Sequence, residues 1–369
     1  MTQYPSLFTP IRIGAHKFSN RIMMGSMHLG HEEHPDGFER MAAFYQERVR
    51  GGTRLIVTGG ISPNTEGALS LGGASMQTSA DAAKHKIITD AIHDAGGTVL
   101  LQLLHAGRYS KQPNLVAPSA IRAPINQFEP RQMSEADILR TIDDYATASK
   151  LALEAGYDGV EVMGSEGYLI NTFLAPLTNQ RTDRWGGDAA GRRLFALEVT
   201  RAVREALHPD SILSFRISMT DLVPNGCTNE ELLELAGELE KTGVNMFVTG
   251  IGWHESRVPT IATSVPRAAF SEFTAMLTNH VSVPVAATNR INTPEVAESI
   301  LSSGQADLVA LARPLLADPA FATKAGQGQA DTINPCIACN QACLDHVLAG
   351  KLTSCLVNPR AGNETTLVL

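Results

Sequence analysis

The 369-residue chain has no apolar run long enough to cross a membrane, and its start, MTQYPSLFTP, has no basic segment leading into an apolar one. The first absence excludes a helical span, which needs about 20 consecutive apolar residues. The second leaves no sign of a secretory leader. Positive charge is not in surplus: 30 Lys and Arg against 38 Asp and Glu give a net charge of −8, which argues against a nucleic-acid partner. There is no internal repeat, no low-complexity segment and no G-x-G-x-x-G run at a strand–helix junction; Gly326-Gln-Gly328 lacks the third glycine and follows no strand. A dinucleotide-binding module is therefore not legible. Cysteine is almost absent outside one window: Cys227 stands alone before a helix start and reads as an incidental thiol. What remains is ordinary for a globular chain, 43% hydrophobic and 18% charged, of a length that suits two domains or one α/β barrel.

The other four cysteines, Cys336, Cys339, Cys343 and Cys355, are separated by two, three and eleven residues. Short gaps let thiolates of one loop converge on a single inorganic centre, and the distant fourth closes the shell. An iron–sulfur cluster and a four-cysteine zinc site both satisfy the pattern, and chance spacing or a disulfide pair is the third reading. Clustered thiols without a secretory leader point to a reducing cytoplasm. A cluster would imply electron traffic and an acceptor elsewhere in the chain.

Short, near-continuously apolar runs recur at 21–24, 55–60, 98–105, 159–164, 212–218, 246–250, 283–288 and 308–312. Such runs suit strands of a parallel sheet buried on both faces. Helical stretches lie between them. Ser134 with Asp137 forms a capping pair for a helix that stops near Gly156; Asn229 and Glu230 begin one that ends at Gly243; Thr293 with Pro294 opens one closed by Gly304. Eightfold strand–helix alternation predicts an α/β (β/α)8 TIM barrel over 1–330, with a cysteine-rich cluster-binding extension over 331–369. A doubly wound open sheet is the competing architecture.

In a barrel the active site lies at the C-terminal ends of the strands, and these ends bear hydrogen-bonding or ionisable groups. They carry Gly25-Ser26-Met27-His28, Thr58-Gly59-Gly60, Gln102 with His105, Glu166-Gly167-Tyr168, Arg216, His254, Asn289-Arg290 and Ala312-Arg313. Basic ends on strands seven and eight suit a phosphate-bearing cofactor, with Gln102 and Arg216 facing its other end. A permanent positive charge at Arg216 would stabilise an anionic reduced flavin; a salt bridge inside the barrel mouth is the plainer reading of that arginine. Tyr168 and His254, on βα loops, form a candidate proton-donor pair, because a phenol of reference pKa about 10 needs its phenolate stabilised to donate near neutrality. His31, Glu32, Glu33 and His34 crowd one loop and read as solvated residues rather than a metal site.

The chain resembles the old yellow enzyme family of flavin barrels, and within it the N-terminal part of the bacterial NADPH-dependent 2,4-dienoyl-CoA reductases. The motifs that carry this are Asn20-Arg-Ile-Met-Met-Gly-Ser-Met-His28, Leu101-Gln-Leu-Leu-His105 with Gly107-Arg-Tyr-Ser110, and Gly159-Val-Glu-Val-Met-Gly-Ser-Glu-Gly-Tyr-Leu-Ile170. Asn179-Gln-Arg-Thr-Asp-Arg-Trp-Gly-Gly187, Gly250-Ile-Gly-Trp-His254, Thr288-Asn-Arg290, Ala312-Arg-Pro314 and the cysteine window follow in the same order.

The resemblance implies FMN held by Ser26, Met27, His28, Gly60, Gln102, Arg216, Arg290, Ala312 and Arg313, and a [4Fe–4S] cluster on the four cysteines. It implies Tyr168 as catalytic acid, assisted by His254 with Glu166 close by, and Thr178, Asn179, Gln180 and Arg181 as contacts for an acyl-CoA. The implied reaction is hydride transfer from FMN N5 to C5 of a 2,4-dienoyl thioester, with protonation at C4 by Tyr168. Relatives of this kind continue into an FAD- and NADPH-binding half; here those cofactors are expected only through a missing module or an electron-donating partner. A reductase of another activated alkene such as an enone, a related barrel that oxidises an amine, and an electron-transfer or substrate-binding subunit inactive without its partner are the alternatives.

Overall fold

The computed structural model describes residues 3–368. Eight parallel strands close into one barrel, β1 (Ile22–Met24), β2 (Leu55–Ile61), β3 (Thr98–Leu103), β4 (Gly159–Gly164), β5 (Ile212–Thr220), β6 (Met246–Ile251), β7 (Val285–Ala287) and β8 (Leu308–Leu311). Each pairs with its sequence neighbours, and β8 closes on β1. All eight apolar runs are strands, and the open-sheet alternative is excluded by the closure. Differences are confined to ends: β7 starts at Val285, after Pro284, which has no N–H to give a ladder, and β3 stops at Leu103, before the turn into Gly107–Tyr109.

The helices start where their caps dictate. Ser134 and Asp137 form a reciprocal capping box for α3 (Glu135–Glu154). Thr228, one residue ahead of the expected start, does the same with Glu231 for Asn229–Lys241, and Thr293 caps Pro294–Ser302. Between β1 and β2 lies α1 (Gly37–Arg50), and between β2 and β3 lies α2 (Ser79–Asp94).

Alternation along the strands separates two cores. Ile56, Val99, Leu101, Val160, Val162, Leu213 and Phe215 point outward to the helices. Met23, Leu55, Val57, Leu100, Ile212, Met246 and Val248 fill the barrel floor, joined by Ile13 and Phe18 of the hairpin Ile11–Ile13/His16–Phe18, which plugs the N-terminal end. The same inward-facing series continues upward as polar residues: Leu100 gives way to Gln102, and Ile212 to Ser214 and Arg216. An apolar plug below and polar groups above put the chemistry at the C-terminal mouth.

The chain beyond Ile333 returns across that mouth. The Thr353 amide donates to the Leu29 carbonyl at 2.8 Å, and the Asn358 side chain donates to Leu316 at 3.0 Å. Arg48 of α1 pairs with Glu364 at 2.6 Å, with both side chains buried. No described helix is long and apolar enough to cross a membrane.

Candidate active site

Strand register places Gly60, Gln102, Glu161 and Ser214 in one layer across β2 to β5. Their hydrogen bonds follow from it. Ser26 Oγ donates to Gln102 Oε1 at 2.9 Å, Gln102 Nε2 donates to Glu161 Oε1 at 2.8 Å, and Ser214 Oγ donates to Glu161 Oε2 at 3.1 Å. Glu161 is almost wholly buried, and burial raises its pKa against the pull of nearby Arg216. Gly60 has no room for a side chain: a Cβ there would come within 2.6 Å of Leu104 Cδ1 and 3.0 Å of Gln102 Oε1.

One layer higher, Arg216 meets Glu166 in a two-pronged contact, Nη2–Oε1 2.8 Å with Nε 3.2 Å from both oxygens. The salt bridge anticipated as the plainer reading of Arg216 is present, and the same side chain also lines the cavity above. Burial opposes its charge, but Glu166 and Glu161 outweigh burial and raise its pKa. Glu166 occupies the left-handed region at φ 55°, and Gly250 must be glycine to admit it, since a Cβ there would lie 2.5 Å from Ser165 and 2.9 Å from Glu166 Oε1.

Tyr168 and His254 meet across the mouth, with Oη and Nε2 2.9 Å apart. Both line a cavity of about 460 Å³ shared with Ser26, Met27, His28, Gly60, Gln102, Glu166, Arg216, Ala312 and Arg313. Burial raises the Tyr168 pKa, helped by Glu166, and burial lowers that of His254. The protein around the imidazole disfavours its charged form and so favours the neutral ring. A neutral ring carrying its proton on Nε2 donates to the phenolic oxygen, which stabilises the phenolate as its proton leaves.

Beside this cavity is a chamber of about 140 Å³ lined by Gly25, Ser26, Arg216, Asn289, Arg290, Ala312 and Arg313. Among the described residues neither Arg290 nor Arg313 has a carboxylate partner. Arg290 donates to the Val265 carbonyl at 2.8 Å; Arg313 donates to Ile261 O at 2.9 Å and Asn340 Oδ1 at 2.7 Å. Burial and then the neighbouring Arg313 lower the Arg290 pKa. Two unneutralised guanidinium groups on one chamber suit a dianionic phosphate. The residues therefore fit a phosphate-bearing flavin such as FMN.

The loop after β1 corrects one reading. His31 is fully buried and Glu32 nearly so, whereas only Glu33 and, in part, His34 are solvated. Glu32 Oε1 accepts from the Leu29 amide at 2.9 Å, and Glu32 and Glu33 flank the two ring nitrogens of His28 at 3.5 and 3.7 Å. The loop folds under the returning C-terminal segment, which buries His31 and Glu32. His105 is likewise interior: its Nδ1 accepts from the Gly107 amide at 3.1 Å, and burial lowers its pKa to about 3.

The segment 178–181 lines neither cavity. Thr178 and Asn179 are buried and donate to the carbonyls of Thr172 and Phe173, each at 2.7 Å. Arg181 is buried and donates to Met133 O at 2.6 Å and Pro118 O at 2.9 Å; Gln180 is exposed, with its amide donating to Ser119 Oγ at 3.0 Å. The segment fastens the β4 loop to its neighbours.

All four cysteines of the window line one cavity of about 20 Å³, next to Arg313, which also lines the chambers above. All are free thiols, so the disulfide reading does not hold. Four thiols on one cavity suit either a zinc ion or an iron–sulfur cluster. Cys227 is half-buried beside Asp221, whose carboxylate accepts its amide at 2.8 Å, away from this cavity, and desolvation raises its pKa.

Three groups at the mouth escaped the sequence reading: Glu161, Arg108 and Glu255. A charged residue inside the apolar run 159–164 was the one available signal, for Glu161. Nothing local marks Arg108 and Glu255, which are 147 residues apart and meet at 2.6 Å.

Known proteins share this fold. The "Metal reductase" of Desulforamulus reducens is 43% identical over 98% of this chain and 55% of its own length. The "Cinnamate reductase" of Clostridium sporogenes is 28% identical over 98% of this chain and 59% of its own. A solved 2-naphthoyl-CoA reductase, in complex with 2-naphthoyl-CoA, superposes with a TM-score of 0.94 at 29% identity, covering 99% of this chain and 58% of that one. The chain thus spans little more than half the length of these relatives. The family model for NADH:flavin oxidoreductase / NADH oxidase matches residues 6–332, and the chain belongs to that family.

Proposed function

We propose that this chain reduces an alkene conjugated to a carbonyl, using FMN, and that its substrate is an acyl thioester of the 2,4-dienoyl-CoA type. The observation that carries the reading is the Tyr168–His254 pair, 2.9 Å apart on the wall of the cavity that also contains Gln102, Arg216 and Gly60. Bound FMN in its reduced form supplies the hydride. Arg290 and Arg313 hold its phosphate. Gln102, fixed by Ser26 and Glu161, hydrogen-bonds its ring, and Arg216 supplies positive charge there. Tyr168 Oη delivers the proton to the carbon next to the one that receives hydride, and His254 Nε2 stabilises the phenolate left behind. Glu166 keeps Arg216 and the backbone of His254 in place, since its carbonyl accepts the His254 amide at 3.4 Å.

Cys336, Cys339, Cys343 and Cys355 hold a [4Fe–4S] cluster, which supplies single electrons from a partner domain or chain carrying FAD and NAD(P)H. The convergence of all four cysteines on one cavity beside Arg313, which also lines the proposed flavin chamber, supports a redox centre there. The CoA ligand of the 2-naphthoyl-CoA reductase structure supports the thioester, and the cinnamate reductase supports the alkene.

The 43% identical metal reductase favours a second reading, in which a metal ion takes the electrons. The two differ in their need for a proton. Anaerobic reoxidation of the photoreduced protein by a dienoyl-CoA, a cyclic enone or ferric citrate separates them: Tyr168→Phe should slow reoxidation by either alkene about 10²- to 10⁴-fold and leave reoxidation by ferric citrate untouched. Robust metal reduction with no turnover of either alkene would overturn the proposal.

A further inference from the structure

The Gly107-Arg-Tyr-Ser110 segment crosses the mouth to reach the residue after His254. Arg108 Nη2 lies 2.6 Å from Glu255 Oε2, and Tyr109 Oη donates to the same oxygen at 2.9 Å. Arg108 and Glu255 are buried, with side-chain exposures of 2% and 7%. The guanidinium also sits 5.4 Å from the Trp253 ring and 5.6 Å from the Tyr109 ring. From that base Tyr109 touches both members of the acid pair, edge-on to Tyr168 at 5.9 Å and to His254 at 5.6 Å.

We propose that Glu255, gripped by Arg108 and Tyr109, is the positioning residue that fixes His254 against Tyr168. The His254 side chain has one hydrogen-bond partner among the described residues, Tyr168, and its amide reaches Glu166 only at 3.4 Å. The chain beyond it is exposed from Arg257 to Pro259. The Trp253 amide donates to Asp221 O at 2.9 Å and Ser256 Oγ to Leu222 O at 2.9 Å, contacts that tie the loop backbone to the β5 end but do not reach the imidazole. The buried pair one residue later anchors that loop to the β3 end, and the two flanking rings restrict where His254 can turn. An ion pair in low dielectric is costly to break singly, because the partner's charge is left buried. The anchor is therefore stiffer than a surface contact.

The inference rests on reading Tyr168 and His254 as an acid pair, and its test has one arm that needs no substrate. In ¹⁵N-histidine-labelled FMN-loaded protein, the His254 ring should show a single Nε2–H tautomer. In Glu255→Gln that signal should broaden and average between tautomers. In stopped flow, reoxidation of the pre-reduced protein by 2-cyclohexenone should slow about 10- to 100-fold, the scale of a misplacement near 1 Å, while enone Kd changes less than 2-fold. Arg108→Gln should behave alike, and the double variant should be no worse than about 3-fold below the weaker single, because the two act as one unit. Should Arg108→Gln fail to fold, Glu255→Gln alone decides. An unchanged His254 signal with a reoxidation rate within 2-fold of the parent overturns the positioning role. A parent protein inert toward the enone counts against the alkene reading, and the tautomer arm still decides the clamp.

Discussion

Replacing Glu364 with glutamine should loosen the returning C-terminal segment by an amount the structure allows to be worked out. Arg48 is completely buried in α1, and its charge is answered by Glu364 Oε1 at 2.6 Å. Its other partners are neutral: the carbonyls of Phe44 at 2.8 Å and Leu315 at 3.1 Å, and the Phe44 ring at 3.5 Å. The substituted amide could still accept one hydrogen bond, so shape survives and only the countercharge is lost. Leaving one partner of a buried pair uncompensated costs about 3–5 kcal/mol, and retention of the hydrogen bond places this case near about 3 kcal/mol. At about 1.4 kcal/mol per factor of ten, local opening becomes about 100-fold easier. The assay is amide hydrogen exchange. Protection at Thr353, whose amide donates to Leu29 at 2.8 Å, and at Ala361, which donates to Asn358 at 3.0 Å, should fall about 100-fold, while barrel amides such as Val309 stay protected. The paired change Arg48→Met with Glu364→Leu should recover most of the loss, since an apolar pair of similar volume carries no desolvation penalty. Protection within 3-fold of the parent in Glu364→Gln would refute the reasoning, because the pair would then not be what holds this segment down.

Other outcomes follow from the site and the interior. Tyr168→Phe should lower alkene turnover about 10²- to 10⁴-fold with FMN content unchanged, measured by flavin absorbance and steady-state rate. Arg290→Gln should weaken FMN by about 10- to 100-fold, the loss of one charge-assisted hydrogen bond, read from quenching of flavin fluorescence. Burial lowers the His85 and His105 pKa values to about 4 and about 3, so below the unfolded value of 6.5 the folded chain binds fewer protons than the unfolded one. Stability should then rise with pH from about 4 to 6.5 at about 1.4 kcal/mol per unit for each histidine, and His85→Gln should remove one of those slopes from the urea-midpoint profile. Cys343→Ser should abolish iron binding without admitting zinc, measured by elemental analysis of anaerobically purified protein.

The barrel was legible from the chain alone because its signals are local. Apolar runs of strand length, capping pairs such as Ser134 with Asp137, and polar residues at strand ends each depend on a few neighbours in sequence. Gln102 and Arg216 were legible at the mouth because they lie in apolar runs of strand length, while the layer each occupies is set by the register between strands. Tyr168 and His254 were legible as candidates for the same reason.

Tertiary structure decided everything that depends on two distant segments sharing a space. Arg108 and Glu255, Arg48 and Glu364, and the layer that joins Gln102 to Glu161 and Ser214 are products of barrel closure, and no spacing announces them. The closure also turned His31 and Glu32 inward, because the C-terminal segment covers their loop, and it assigned Thr178, Asn179 and Arg181 to carbonyls instead of the cavity. Residue type and local period determine which elements form and which face they show. Partner, burial and charge state depend on what the rest of the chain brings alongside, and that is set only when the barrel shuts.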